Sequence, residues 1–364
     1  MMTAFYSDER CFWHSGGNYA LTAPVGGLVQ PLAAGGLPES PETKRRLRNL
    51  IDVTGLSRDL VMTSAPMASE EALRRIHPAD YLSEFKHLSD SGGGELGQRT
   101  PFGPGGYEIA ALSAGLVSAA VQGVLRGQHE NAYALSRPPG HHCLPDTPMG
   151  FCLLANIAIA IEEARAAGLA KRFAVVDWDV HHGNGTEAIF ANDSEALTTS
   201  IHQAANYPWH SGGVETDAQA NINIPLPPGA GHAAYLHAMH RIVVPALRQF
   251  EPEMIIIACG YDASGVDPLA RMLAGSDTFA AMTQQVMQAA DELCQGRLAM
   301  AHEGGYSEVH VPFCGHAVLS EMARSTITAD DPLGPRITAQ QPDARMNAVY
   351  RGLIDEIAVY NGYH

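Results

Sequence analysis

The chain has 364 residues, 46% of them hydrophobic, enough to bury a large core and to exclude wholesale disorder. Its formal charge of -16 excludes a nucleic-acid binder that works by neutralising phosphates, and it suits solubility or a cationic ligand. The first ten residues hold no apolar core of a secretory leader, and no run approaches the roughly 20 apolar residues of a membrane helix, so a cytoplasmic chain with no membrane partner is expected.

Short β-branched or apolar runs alternate with Ala-rich helical stretches, the pattern of parallel strands joined by crossover helices. A helix at 109–125 precedes a strand at 132–135, and a helix at 157–167 precedes a strand at 173–177. A strand at 197–201 follows without a helix of its own. Helices at 233–250 and 278–294 then lead into strands at 254–258 and 298–302. Each strand runs into a polar or Gly-rich loop: 136–142, 179–185, His202-Gln203, Gly260-Tyr261-Asp262 and 303–306. Ligands of open parallel sheets bind beyond the carboxyl ends of the strands, so these five loops should converge on one cleft. Glycine and proline clusters at 92–94, 101–106 and 225–231 read as long surface loops within one domain spanning 1–364. An apolar stretch at 349–360 reads as a terminal helix packed on the body or on a neighbouring subunit.

The densest chemistry is Asp177-Trp178-Asp179-Val180-His181-His182-Gly183-Asn184-Gly185. In an extended chain Asp177, Asp179 and His181 share one face, while Trp178 and Val180 point the other way. That cluster at a buried strand end calls for a cation. Asp179 and His181, with Asp262 beyond a later strand, make a three-ligand set that leaves a coordination position open, as a catalytic metal needs. Zinc suits such a set, and so do ferrous iron and cobalt. His141 and His142 form a proton-handling pair. A carboxylate such as Asp177 bonded to one ring favours the imidazolium, and a neutral partner such as Asn184 leaves the other nearer its neutral form. Tyr306, after Glu303-Gly304-Gly305, can donate to a developing oxyanion. His182 points to the opposite face and is assigned no ligand role. Cys11, Cys143, Cys152, Cys259, Cys294 and Cys314 form no CxxC pair, which suits a reduced chain, and none is assigned to catalysis.

Arg137-Pro138-Pro139-Gly140-His141-His142, Met149-Gly150-Phe151-Cys152, the 177–185 stretch, Gly260-Tyr261-Asp262-Ala263 with Asp267-Pro268-Leu269, and Glu303-Gly304-Gly305-Tyr306 together resemble the histone deacetylase family. The likeness is nearest to its class II branch and the bacterial histone deacetylase-like amidohydrolases, and it extends from Pro41 to about Gly315. It implies a three-layer α/β/α arginase-deacetylase fold with about eight parallel strands, and a zinc-dependent hydrolase of acyl amides. The family's zinc ligands fall on Asp179, His181 and Asp262. Its histidine pair falls on His141 and His142, supported by Asp177 and Asn184, and its oxyanion donor on Tyr306. The resemblance also implies a structural K+ or Na+ held by Asp177, Asp179, His181, Ser200 and Ile201. A narrow acyl-lysine channel maps to Gly150, Phe151, Tyr207 and Leu269.

Two departures from the family pattern bear on specificity. Tyr207 stands where relatives carry a phenylalanine, and the 214–220 loop is shorter and more acidic. Leu269 stands where polyamine-selective relatives place a glutamate, which favours acetyl-lysine or similar small acylated amines. An acetylpolyamine hydrolase is the first alternative, and a non-catalytic acyl-ligand binding protein the second. The expected assembly is a homo-oligomer, dimer or tetramer.

Overall fold

The computed structural model describes residues 2–17, 19–25, 29, 36–216 and 220–364. Eight strands form one sheet: β1 (Thr3–Tyr6), β2 (Leu60–Thr63), β3 (Ala132–Ala134), β4 (Phe173–Asp177), β5 (Ala196–Gln203), β6 (Asn221–Leu226), β7 (Met254–Cys259) and β8 (Leu298–His302). The order is β6-β5-β4-β7-β8-β3-β1-β2, and every pair is parallel. All residues of β4, β7 and β8 are buried, so both faces of the sheet are covered by helices, as a parallel sheet requires.

The five strands expected from periodicity are present, with ends shifted by two residues at most. The other three, β1, β2 and β6, escape that reading. β6 is an edge strand of sequence Asn-Ile-Asn-Ile-Pro-Leu, and an edge tolerates Pro225 because one row of its N–H groups faces away from the ladder. The surface loop expected at 225–231 therefore starts only after Leu226.

Among the helices, α1 (Pro41–Thr54) starts with Ser40 capping the N–H of Glu42 and with Pro41 in the first turn. α2 (Gly106–Leu125) corrects the expectation that no apolar run reaches membrane-spanning length, because it is 20 residues long and apolar enough to cross a bilayer. Its most apolar window is 72% buried, and it packs on α3 (Asn156–Ala166), β3 and β8, as a central core helix does. The continuous helix expected at 233–250 is instead His232–Ala238, a π-helical Met239–Val243 and Val244–Phe250. Pro245 has no N–H for the preceding turn, and the widened turn accommodates its ring. α4 (Ser276–Cys294) and α5 (Val311–Met322) pack on one another. The terminal helix, α6 (Ala344–Tyr360), docks on the body: Tyr350 donates to the Pro228 carbonyl at 3.2 Å, and Asp355 receives His237 and Arg241 at 3.0 and 3.2 Å. All six cysteines are free and buried.

Behind the site, Glu39 accepts from Arg137 Nε at 3.0 Å and from Lys44 Nζ at 3.2 Å, with all three side chains at 1% exposure or less. Arg137 also donates to the carbonyls of Cys11 and His14. Burial alone pushes the Glu39 carboxyl up, and the two cations overcome it and hold it at about 2. A carboxyl depressed in the folded state contributes stability that is full above its unfolded value, near 4.5, and is lost as pH falls towards about 2. Glu39→Gln should therefore lower the unfolding free energy by about 3 kcal/mol at neutral pH and flatten its decline below pH 4.5. Urea titrations at several pH values test this, and an unchanged acid slope would refute it.

Candidate active site

Strands β4 and β7 lie side by side, with Ala258 opposite Asp177, so the loops that follow them open at the same level. The chain past β4 keeps its alternation: Trp178 and Val180 are fully buried on one side, and Asp179 and His181 face the β7 loop. His181 Nδ1 lies 3.1 Å from Asp179 Oδ1 and 3.0 Å from Asp262 Oδ2. The other oxygens are tied to backbone, since Asp179 Oδ2 accepts from Gly304 N at 2.7 Å and Asp262 Oδ1 from Val180 N at 2.8 Å. Residue 304 must be glycine for that approach, because a β-carbon there would collide with the carboxylates of Asp262 and Asp179.

One ligand atom from each of Asp179, His181 and Asp262 lies within 4.8 Å of the others, and all three residues are buried. Burial, with Asp179 alongside, raises the Asp262 carboxyl to about 6. Burial also pushes Asp179 up, yet His141 and His181 hold it below the usual range. Burial disfavours the His181 cation, and the two carboxylates outweigh it, raising His181 to about 10. Three ligand atoms thus converge on one buried place, and a divalent cation fits it by charge and donor type.

The histidine pair has unlike partners. His141 Nδ1 donates to Asp177 Oδ2 at 2.9 Å, and His142 Nδ1 donates to Asn184 Oδ1 at 2.8 Å. The rings lie 3.9 Å apart, centroid to centroid. Burial disfavours the His141 cation, but Asp179 and Asp177 overcome it and raise the ring to about 10. Burial, then the neighbouring His141 and His181, drives His142 well below its ordinary value, so this ring is neutral. Its Nδ1 carries the proton given to Asn184, which leaves the Nε2 lone pair free.

Tyr306 is placed by its backbone, which donates to Asp267 Oδ2 at 2.8 Å, and the same carboxylate holds Leu269 N through Oδ1 at 2.8 Å. Its ring packs edge-on against Phe151. Burial, reinforced by Asp262, raises its hydroxyl well above the usual tyrosine value, so it remains a donor. Gly150, Phe151, Tyr207 and Leu269 line one cavity of about 180 Å³ with His142, His181 and Tyr306. Arg99, Thr22, Asn206 and Trp209 complete the lining. Ser200 pairs in register with Asp177 across β5 and β4, and its hydroxyl bonds to His202 Nδ1 at 2.9 Å. Ile201 follows it, fully buried. His182 faces elsewhere, bonded to Ser211 and Glu187.

The family model described as "Histone deacetylase domain" matches residues 37–322. The chain belongs to the histone deacetylase family. It is 55% identical to the histone deacetylase-like amidohydrolase of Pseudomonas aeruginosa, over 99% of this chain and 96% of that protein. It is 33% identical to histone deacetylase 8 of Arabidopsis thaliana over 89% of this chain and 88% of the relative. The solved HDA15 HD domain superposes with a TM-score of 0.79 at 27% identity, covering 99% of this chain and 97% of that one. Membership of the histone deacetylase family makes the chain a hydrolase acting on amide bonds.

Several residues of this deacetylase-family site carry no role in the sequence reading. Glu303 Oε2 accepts from the N–H groups of Gly140 and His141 at 2.7 and 3.1 Å and so positions the histidine loop, and burial raises it to about 7. Asp267 positions Tyr306 in the same way. Both act through backbone N–H groups, which leave no pattern in sequence. Arg99 belongs to a strap whose Gln98 bridges to Met149. In the acidic 214–220 loop, Thr216 donates to Glu187 at 2.6 Å, and residues 217–219 lie outside the described residues.

Proposed function

We propose that the protein is a zinc-dependent deacylase that hydrolyses acetyl-lysine side chains or similar small acylated amines by attack of an activated water. The observation that carries this reading is the pair of unlike histidines, His141 bonded to the Asp177 carboxylate and His142 to the neutral Asn184 amide, beside a two-carboxylate, one-imidazole set at the foot of a narrow cavity. Asp179, His181 and Asp262 would hold the zinc, which supplies Lewis-acid chemistry by lowering the pKa of a water and polarising the amide carbonyl. His142 accepts the water's proton at Nε2 and passes it to the nitrogen of the breaking C–N bond, so an amine and a carboxylic acid leave. The His141 imidazolium, kept charged by Asp177, stabilises negative charge developing beside it. Tyr306 donates its hydroxyl hydrogen bond to the carbonyl oxygen as that atom becomes anionic. The apolar faces of Phe151, Tyr207 and Leu269 take the alkyl stem. We also assign a structural K+ or Na+ to oxygens of Asp177, Asp179, His181, Ser200 and Ile201.

The test is deacetylation of an acetyl-lysine peptide and of acetylspermidine by the zinc-loaded protein. Because Leu269 offers no anion to a polyamine, the peptide should be hydrolysed with at least about tenfold higher kcat/KM. The reverse order would make the protein an acetylpolyamine hydrolase, and no turnover of either would favour a silent acyl-ligand binder.

A further inference from the structure

At the cavity mouth stands a cation without an anion. Arg99 is half-buried and lines the cavity, yet among the described residues no carboxylate lies within ion-pair distance of its guanidinium. The acid nearest to it in sequence, Glu95, is taken by the Tyr19 hydroxyl at 3.0 Å and the Thr100 N–H at 3.1 Å. What distinguishes this arginine is its place on the cavity wall. It is the one permanently charged side chain among the cavity-lining residues.

The strap that carries it is built to hold it there. Arg99 has φ +60°, a left-handed conformation that side chains other than glycine adopt only when the surroundings enforce it. The enforcement is visible: Gly150 N donates to Gln98 O and Phe151 N donates to Arg99 O, both at 2.9 Å, tying the strap to the channel wall. Tyr207 completes the arrangement. Its hydroxyl donates to Gln98 Oε1 at 3.2 Å, and its ring lies 5.2 Å from the Arg99 guanidinium carbon. The phenol that replaces a phenylalanine thus fixes the strap from one side and gives the guanidinium a face to lie on.

We propose that Arg99 is a specificity-determining residue that binds a carboxylate carried by the substrate, so that the preferred substrates are acylated amines bearing an anionic group at the end that stays outside the channel. A guanidinium presents paired N–H donors that match the two oxygens of a carboxylate. The acidic surface repels such a substrate at long range, but salt screens that repulsion beyond about 8 Å, whereas the contact at a half-buried arginine persists. The proposal rests on the amide-hydrolase reading above and narrows its substrate class.

The experiment uses two acetyl-lysine peptides ending in acetyl-lysine, identical except that one has a free carboxylate and the other a carboxamide. In the zinc-loaded protein the carboxylate form should have a kcat/KM about five- to tenfold higher, and the ratio should shrink as salt rises. Arg99→Gln should bring the ratio close to one, Arg99→Lys should restore part of it, and Arg99→Glu should invert it. The ratio is internal to each variant, so a general loss of activity does not disturb it. A wild-type ratio of one or below, or an unchanged ratio in Arg99→Gln, overturns the proposal. Calorimetric binding of the corresponding methyl ketones, which cannot be hydrolysed, separates the two readings. If neither peptide is turned over, the acetyl-lysine reading fails, and the ratio of ketone affinities still decides the role of Arg99.

Discussion

Replacing Asp179 by alanine should abolish binding of the proposed divalent metal and activity together. The carboxylate supplies one of three facing donors, at 3.1 Å from His181 Nδ1, and its second oxygen anchors the Gly304 N–H. Loss of a partner that merely orients a metal ligand lowers affinity ten- to a hundredfold, and loss of the ligand itself should exceed about a hundredfold. Elemental analysis after gel filtration should find about one zinc per wild-type chain and less than about a tenth per variant chain. Circular dichroism serves as the check that the variant is folded. One zinc persisting in a folded Asp179→Ala protein would refute the assignment. A second readout needs no turnover: titrating zinc into the wild-type apoprotein should release protons, because His181 is raised to about 10 and Asp262 to about 6 without metal. The release is measured by calorimetry in buffers of different ionisation enthalpy.

Tyr306→Phe should lower kcat by about two to three orders of magnitude while leaving KM and zinc content near wild type. The substitution keeps the ring against Phe151 and the backbone bond to Asp267, and it removes only the hydroxyl. Because burial raises that hydroxyl well above the usual tyrosine range, it is a donor throughout the working pH range, and no alkaline arm of the pH profile should belong to it. Turnover within about threefold of wild type would assign oxyanion stabilisation elsewhere.

What was legible in the sequence follows from how local each signal is. Strand alternation alone puts Asp177, Asp179 and His181 on one face, and Trp178 and Val180 are buried opposite them. Chemistry alone calls for a carboxylate on one ring of the histidine pair and a neutral group on the other, the family resemblance assigns Asp177 to His141 and Asn184 to His142, and both lie at hydrogen-bond distance. The adjacency of β4 and β7, which brings Asp262 to His181, is a property of strand order that no local pattern encodes. Edge strands β2 and β6 were illegible because a half-paired strand need not be β-branched throughout, and Pro225 reads as a break. Glu303 and Asp267 work on backbone N–H groups, and Arg99 is defined by Gly150, Phe151 and Tyr207, all distant in sequence.

The burial of all six thiols has a practical consequence. Cys11 sits near the amino terminus, Cys143 and Cys152 in the histidine loop region, Cys259 at the end of β7, and Cys294 and Cys314 on α4 and α5. Burial makes them weaker acids as well, pushing the Cys11 and Cys259 thiols up to about 12, so the folded molecule presents almost no thiolate to an alkylating reagent. Each cysteine therefore reports the opening of its own part of the structure. The order in which they become labelled in mild denaturant would map which layers of this hydrolase loosen first, without any introduced probe.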